Sequence, residues 1–325
     1  MYPEPYSAQV PECRDSPNGR FIFREYIPGR TIEQLVEEMK KTGDGSVKLE
    51  PMLPVVWPIA LLHVKGPLIA DGLPIKPQVY GAKKMAEAYA TYLAKIAKSK
   101  GTQLTPEELR VRLQDDLTTL LKNFDNPDNQ VFVNADLDCY THHVMPGRLL
   151  DAGGTQKSHF VRDLGLWGDP NFLAIQDAGL TGLKAYLDAK ARLEDSLRVP
   201  KQPGDMGNLY QDLIADFVWG NFRRAASLVN YKTPYVGSII PRAEFEGKVQ
   251  AHLDAGKHFL KRLSEEGSNE VKQAASRVLE AQKEFGFEKP YHLVDRTSLN
   301  EGIKQIRSRE PGPIRRALAS FFGLW

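Results

Sequence analysis

The sequence predicts a mainly α fold, an irregular helical body with antiparallel helix hairpins and a few short strands. Three observations predict it. Apolar residues recur at three- and four-residue spacing through most of the 325 residues. Thr105-Pro106-Glu107-Glu108 opens one such stretch with a cap, a first-turn proline and a capping-box acid. Alternating runs that suit strands are few and short. Hydrophobic residues at 42% and charged residues at 26% are globular proportions, which exclude a disordered or fibrous chain.

Taken in order, residues 1–18 are Pro-rich and aperiodic and read as an extended arm. GRFIFREYI (19–27) alternates as a strand would. Thr31 then opens a helix with Gln34 at the capping-box position, Leu35 and Met39 as its apolar repeat, and Gly43 as its stop. From Val47 to Pro77, six prolines argue against a long helix, so Val55 to Val64 reads as a short buried strand or an extended wrap. Residues 78–99 carry the stripe Met85, Tyr89, Tyr92 and Ile96. A second helix follows Thr105 with Leu109, Leu113, Leu117, Leu120, Leu121 and Phe124 inward, and the short connection favours a hairpin.

VFVNADLDC (131–139) alternates, and HHVMPGRLLDAGGTQKSHF (142–160) reads as Gly-rich loop. Helical pattern resumes near Asn171, with Leu180, Leu183, Leu187 and Leu197 apolar. PKQPGD (200–205) reads as an internal boundary or a simple loop. The expected organisation is an arm (1–18), a helical domain (19–199), a second helical domain (205–310) and an amphipathic tail (311–325).

NLYQDLIADFVWGNFRRAASLVN (208–230) is the organising helix. Asn208 reads as its N-cap, and Tyr210, Leu213, Ile214, Phe217, Val218, Ala225, Leu228 and Val229 form one apolar face. Asp212, Asp216, Arg223 and Trp219 fall opposite. A Trp on that side is covered by another segment of the chain or by a partner. YKTPYVGSII (231–240) reads as a short strand or extended segment. A helix after Pro241 buries Phe245, Val249, Leu253, Phe259, Leu260 and Leu263. Gly267 ends it, and Ser268 caps a last long helix bearing Val271, Val278, Leu279 and Phe285. YHLVD (291–295) reads as a strand.

No stretch carries the spacing of a known reaction. Asp136 and Asp138 with His142 and His143 have metal-binding residue types, but a polar turn after a strand explains them better. Gly153-Gly154-Thr155-Gln156-Lys157-Ser158 lacks the glycines of a phosphate loop. Cys139, near those histidines, lies in an apolar alternation that predicts burial. Asp115-Asp116 reads as a solvated acid pair, and His252 and His258 as surface residues. The two cysteines, Cys13 and Cys139, suit a reducing intracellular compartment. The N-terminus has neither a basic start nor an apolar core, so no secretory signal is expected. No apolar run is long enough for a transmembrane segment. A net charge of +2 argues against a nucleic-acid partner.

The remaining signal is interaction surface. IRRALASFFGLW ends on Phe321, Phe322, Leu324 and Trp325, apolar area that docks on the body, on a membrane surface or in a partner's groove. The candidate partner contacts are therefore Trp219, Phe321, Phe322, Leu324 and Trp325. With the arm MYPEPYSAQVPEC and the wrap LEPMLPVVWPIALL, the tail resembles accessory subunits of mitochondrial ATP synthase, the peripheral-stalk type of chlorophycean algae. The resemblance implies a non-enzymatic structural subunit on the matrix side, with protein subunits as partners and no cofactor or small-molecule ligand. Two alternatives stand beside it: a metal-dependent enzyme using residues 136–159, and a nucleic-acid-binding protein.

Overall fold

In the computed structural model, helix α6 (Met206–Lys232) is the axis on which the other elements pack. The structure describes residues 13–15, 22–24, 29–42, 46–70, 80–102, 104–134, 137, 144–149, 156–197 and 206–294. Around α6 stand α3 (Ala82–Ser99), α7 (Arg242–Glu266), the 3-10 segment Phe160–Gly168 and α5 (Ala178–Leu197). Helix α4 (Pro106–Leu120) joins α3 to α8 (Asn269–Glu284), and α2 (Val56–Ala70) lies on α5. Helix α1 (Ile32–Lys41) completes the set. The fold is mainly helical, as the apolar periodicity predicts.

Three two-stranded antiparallel pairs accompany the helices. The pair β1 (Cys13–Asp15) and β2 (Ile22–Arg24) places part of the expected arm in a strand. The pair β3 (Gln130–Val133) and β6 (Gln156–His159) runs Gln130 against His159 and Val133 against Gln156. The pair β4 (Val144–Met145) and β5 (Arg148–Leu149) is a tight hairpin.

The expected caps of α1 and α4 form. Thr31 and Gln34, and likewise Thr105 and Glu108, exchange side-chain and backbone hydrogen bonds in full capping boxes. Helix α1 turns Ile32 and Val36 inward and leaves Leu35 and Met39 half-buried. Helix α6 starts two residues before Asn208.

The Pro-rich wrap is a correction. Residues 56–70 form α2, not a strand. Pro58 falls in the first turn, where its missing N–H has no intrahelical acceptor to lose. Burial of Val55, Val56, Ile59, Ala60 and Val64 outweighs the remaining propensity cost. Residues 233–240 are likewise not a strand: a 3-10 turn, Thr233–Tyr235, leads to a single bridge between Val236 and Ile240. Tyr291–Val294 is held as irregular chain by side chains of α7, with Gln250 Oε1 accepting from Tyr291 N–H and Glu246 Oε1 from Leu293 N–H.

Residues 200–205 lie outside the described residues. The hydrophobic core is continuous across them, running from Ile32 to Leu293. Close approach of α6 and α7 depends on Gly256, where a Cβ would stand 2.6 Å from the Phe222 ring.

Candidate functional site

The densest gathering of chemically capable side chains lies where β6 runs into the 3-10 segment Phe160–Gly168. His159, Arg162 and Asp163 are each 0–1% exposed. The sequence predicts Gly-rich loop as far as Phe160 and no regular element from there to Pro170. Every residue from Ser158 to Asp169 is buried.

Asp163 is the first node. Its two carboxylate oxygens accept from the Asn134 backbone N–H at 3.0 and 2.8 Å, and Oδ2 lies 2.9 Å from His63 Nε2. An accepting carboxylate places the imidazole proton on Nε2. Nδ1 then accepts from the Tyr186 hydroxyl at 2.8 Å. Tyr186, His63 and Asp163 thus form a directed chain from α5 through α2 to the 3-10 segment. Burial, reinforced by the charges of Asp163 and Glu194, pushes the Tyr186 phenol well above its usual value. One and two turns further along α5, Lys190 and Glu194 form a buried ion pair.

His159 is the second node. Its Nδ1 accepts from Val161 N–H at 3.3 Å, so the proton sits on Nε2, facing Asp212 Oδ2 at 3.4 Å. Asp212 Oδ1 accepts from Asn123 Nδ2 at 2.8 Å. The imidazole is sandwiched between Phe124 and Phe160.

The third node surrounds Trp219. Its ring is met by Tyr80 and Tyr92 edge-on, by the Arg162 guanidinium at 4.7 Å and by Arg223 at 5.4 Å. Its Nε1–H donates to Met85 C=O at 3.0 Å. Arg162 Nε lies 4.0 Å from Asp216 Oδ1, one turn before Trp219 on α6.

Trp219 is therefore a correction. At 2% exposure it is covered by this chain and is closed to a partner. The reason is that α6 is surrounded, so its polar side faces the charged 3-10 segment instead of water. His252 is a second correction. Only 8% exposed, it bonds through Nδ1 to Asn221 Oδ1 at 2.9 Å, and Asn221 Nδ2 donates to the carbonyls of Gly168 and Phe217. Burial, with help from Arg224, lowers its pKa to about 3, so it stays neutral. His258 is exposed, as expected. Asp115 is exposed and Asp116 pairs with Arg277 at 2.6 Å across the α4–α8 seam.

Asp136, Asp138, Cys139, His142, His143, Gly153 and Gly154, and the tail residues Phe321, Phe322, Leu324 and Trp325, lie outside the described residues. Among the described residues, no group of three or more His, Cys, Asp or Glu side chains is placed to hold a metal ion. Nor is any described helix long and apolar enough to cross a membrane.

The sequence carried one usable sign of the buried network. His159, Arg162 and Asp163 sit in a run with Phe160, Val161, Leu164, Leu166 and Trp167, too apolar for an exposed loop. Charged residues inside such a run have to find partners. Neither protein-family models nor curated protein sequences match this chain.

Proposed function

We propose that the protein is a non-enzymatic structural subunit that holds other proteins of a larger assembly. One contrast carries this reading. The groups capable of chemistry, His63, His159, Arg162, Asp163, Asp212 and Asp216, are sealed and engaged with one another, where they fix helix register. Large apolar side chains instead face outward: Val111 on α4, Leu197 at the end of α5, and a group around the α6–α7 turn. Tyr231 is 67% exposed and Ile239 54%, on either side of the α6–α7 turn. Val294, 60% exposed, lies close by, because Arg242 after that turn bonds the Leu293 carbonyl. The described residues end at Val294; the tail expected over 311–325 lies outside them. Exposed apolar side chains of this kind suit attachment to a protein surface.

The likeness to peripheral-stalk subunits makes a mitochondrial ATP synthase, on its matrix side, the first assembly to test. Native gel electrophoresis of extracts from the source organism, followed by identification of co-migrating proteins, tests both levels. The expected result is a band far above 36.5 kDa that a Tyr231→Glu/Ile239→Glu variant leaves for the monomer position, with its helical content unchanged. A band without ATP synthase subunits removes the stalk assignment alone. A wild-type monomer in fresh extract removes the structural role as well.

A further inference from the structure

A cleft opens where the first turns of α5 and α6 meet the last two turns of α7. Its outer part, about 140 Å³, is lined by Tyr210, Ile214, Arg262 and Leu263, with Glu266 at the side. Its inner part, about 30 Å³, runs on past Tyr210 and Arg262 to Trp167, Ala178 and Gly179. An apolar cavity of about 150 Å³ accommodates benzene. The outer part therefore suits one aromatic ring, and the inner part a group of two or three atoms.

The polar side chains around the inner part are the Trp167 indole, His258, Arg262 and the Asp177 carboxylate. Trp167 is 1% exposed, its indole forms part of the wall, and its Nε1–H has no hydrogen-bond acceptor among the described residues. A buried N–H without an acceptor is destabilising, and beside a cleft it points to an acceptor supplied from outside. Ala178 and Gly179 open the 20-residue helix α5. First-turn N–H groups have no acceptor within their own helix and form the positive end of its dipole. Ala178 N–H donates to the Ile175 carbonyl at 3.3 Å, which leaves Gly179 as the donor of the pair that faces the cleft without a backbone acceptor among the described residues. Asp177, just before them, holds a φ of 54°, a left-handed backbone that costs a non-glycine residue free energy and occurs most at binding sites. Arg262 stands at the mouth, its guanidinium 5.7 Å from the Tyr210 ring centroid. Its partner Glu266, bonded to it at 3.0 Å, is largely in water, where screening weakens the pair. Asp177 also lines the inner part and opposes an anion there; its carboxylate is exposed, and solvent screening weakens that repulsion.

We propose that this cleft binds a small aromatic carboxylate, with its ring against Tyr210, Ile214 and Leu263 beneath Arg262. The carboxylate enters the inner part and accepts from Trp167 Nε1–H and the Gly179 N–H at the start of α5. The inference is independent of the structural role proposed above and adds a ligand where the sequence leads to none.

Benzoate is the probe. The indole N–H resonance of Trp167 in the ¹⁵N-labelled full chain, assigned by its loss in Trp167→Phe, is followed during titration. A saturable shift is expected, with benzyl alcohol and acetate each binding at least about tenfold more weakly. Arg262→Gln, at a half-exposed position, should weaken benzoate about tenfold with an unchanged circular dichroism spectrum. No saturable shift overturns the proposal, as does binding indifferent to Arg262→Gln. Acetate binding as tightly as benzoate reduces the site to an anion contact at a helix end and sinks the aromatic assignment. Benzyl alcohol binding as tightly removes the carboxylate.

Discussion

The 3-10 segment Phe160–Gly168 and the α4–α8 seam use the same residue types to opposite effect. On the seam, Arg277 meets Asp116, Arg112 meets Glu284 and Lys122 meets Glu270, with most of these side chains in water. Solvent screens such pairs, and each holds the helices together by less than about 1 kcal/mol. In the 3-10 segment and its surroundings, Asp163, Asp212 and Asp216 give up hydration altogether. There the attraction mostly repays desolvation, so each pair adds little net stability while intact and is expensive to break. The buried network specifies which helices meet and at what register. The seam supplies solubility and small increments of stability.

Breaking the network from within should have the largest effect. Asp163→Ala leaves the His63 Nε2–H and the Asn134 N–H buried without their acceptor, and should lower unfolding free energy by about 3–5 kcal/mol. Chemical denaturation at constant m-value measures it. A loss below about 1 kcal/mol would mean that the network is no more consequential than the seam.

A smaller effect of opposite sign is expected next door. Asp169 follows the 3-10 segment, is 5% exposed, and accepts from Asn171 N–H and Nδ2. Burial raises its pKa from 3.8 to about 6, against the lowering effect of the Asn171 bonds and of Arg224. A carboxyl whose folded pKa is raised stabilises the fold fully below its unfolded value, and that contribution is lost as pH rises through about 6. Asp169→Asn keeps the acceptor and removes the charge. It should stabilise the protein by up to about 2–3 kcal/mol at pH 8, and by nothing measurable below pH ~3.5. Melting curves across that range decide it; a pH-independent difference would assign the effect to packing instead.

The seam should respond least. Asp116→Ala should cost under about 1 kcal/mol, and less in high salt. A loss equal to that of Asp163→Ala would erase the distinction between the two regions.

Much of the helical architecture was legible before the structure. Capping boxes at Thr31 and Thr105 formed because their hydrogen bonds close within four residues. The apolar stripes of α4 and α7 pointed inward because each of these helices has one wet side. On α5, which also has a wet side at Lys184, Asp188, Arg192 and Asp195, periodicity predicts the inward face only in part. That face is Gly179, Gly182, Leu183, Tyr186, Lys190 and Glu194; of the expected leucines Leu183 is fully buried, Leu180 and Leu187 are half-buried and Leu197 is exposed. Gly182 illustrates the reason: a Cβ there would lie 2.3 Å from Trp167 Nε1, so packing distance, not hydrophobicity, selects the residue. Long-range packing likewise decided Trp219, covered because α6 is surrounded, and His252, which sits on the buried face of α7 against Asn221.

The sequence by itself determined where helices start, which of them are amphipathic, and that the chain closes a core, because caps and periodicity act over a few residues. Only tertiary structure decided the fate of the charges. Whether an Asp at a given position is a screened surface group or a sealed member of the Asp163, Asp212 and Asp216 set depends on which distant segment removes its water. Desolvation by chain a hundred residues away, as His63 is from Asp163, leaves no mark in the local pattern.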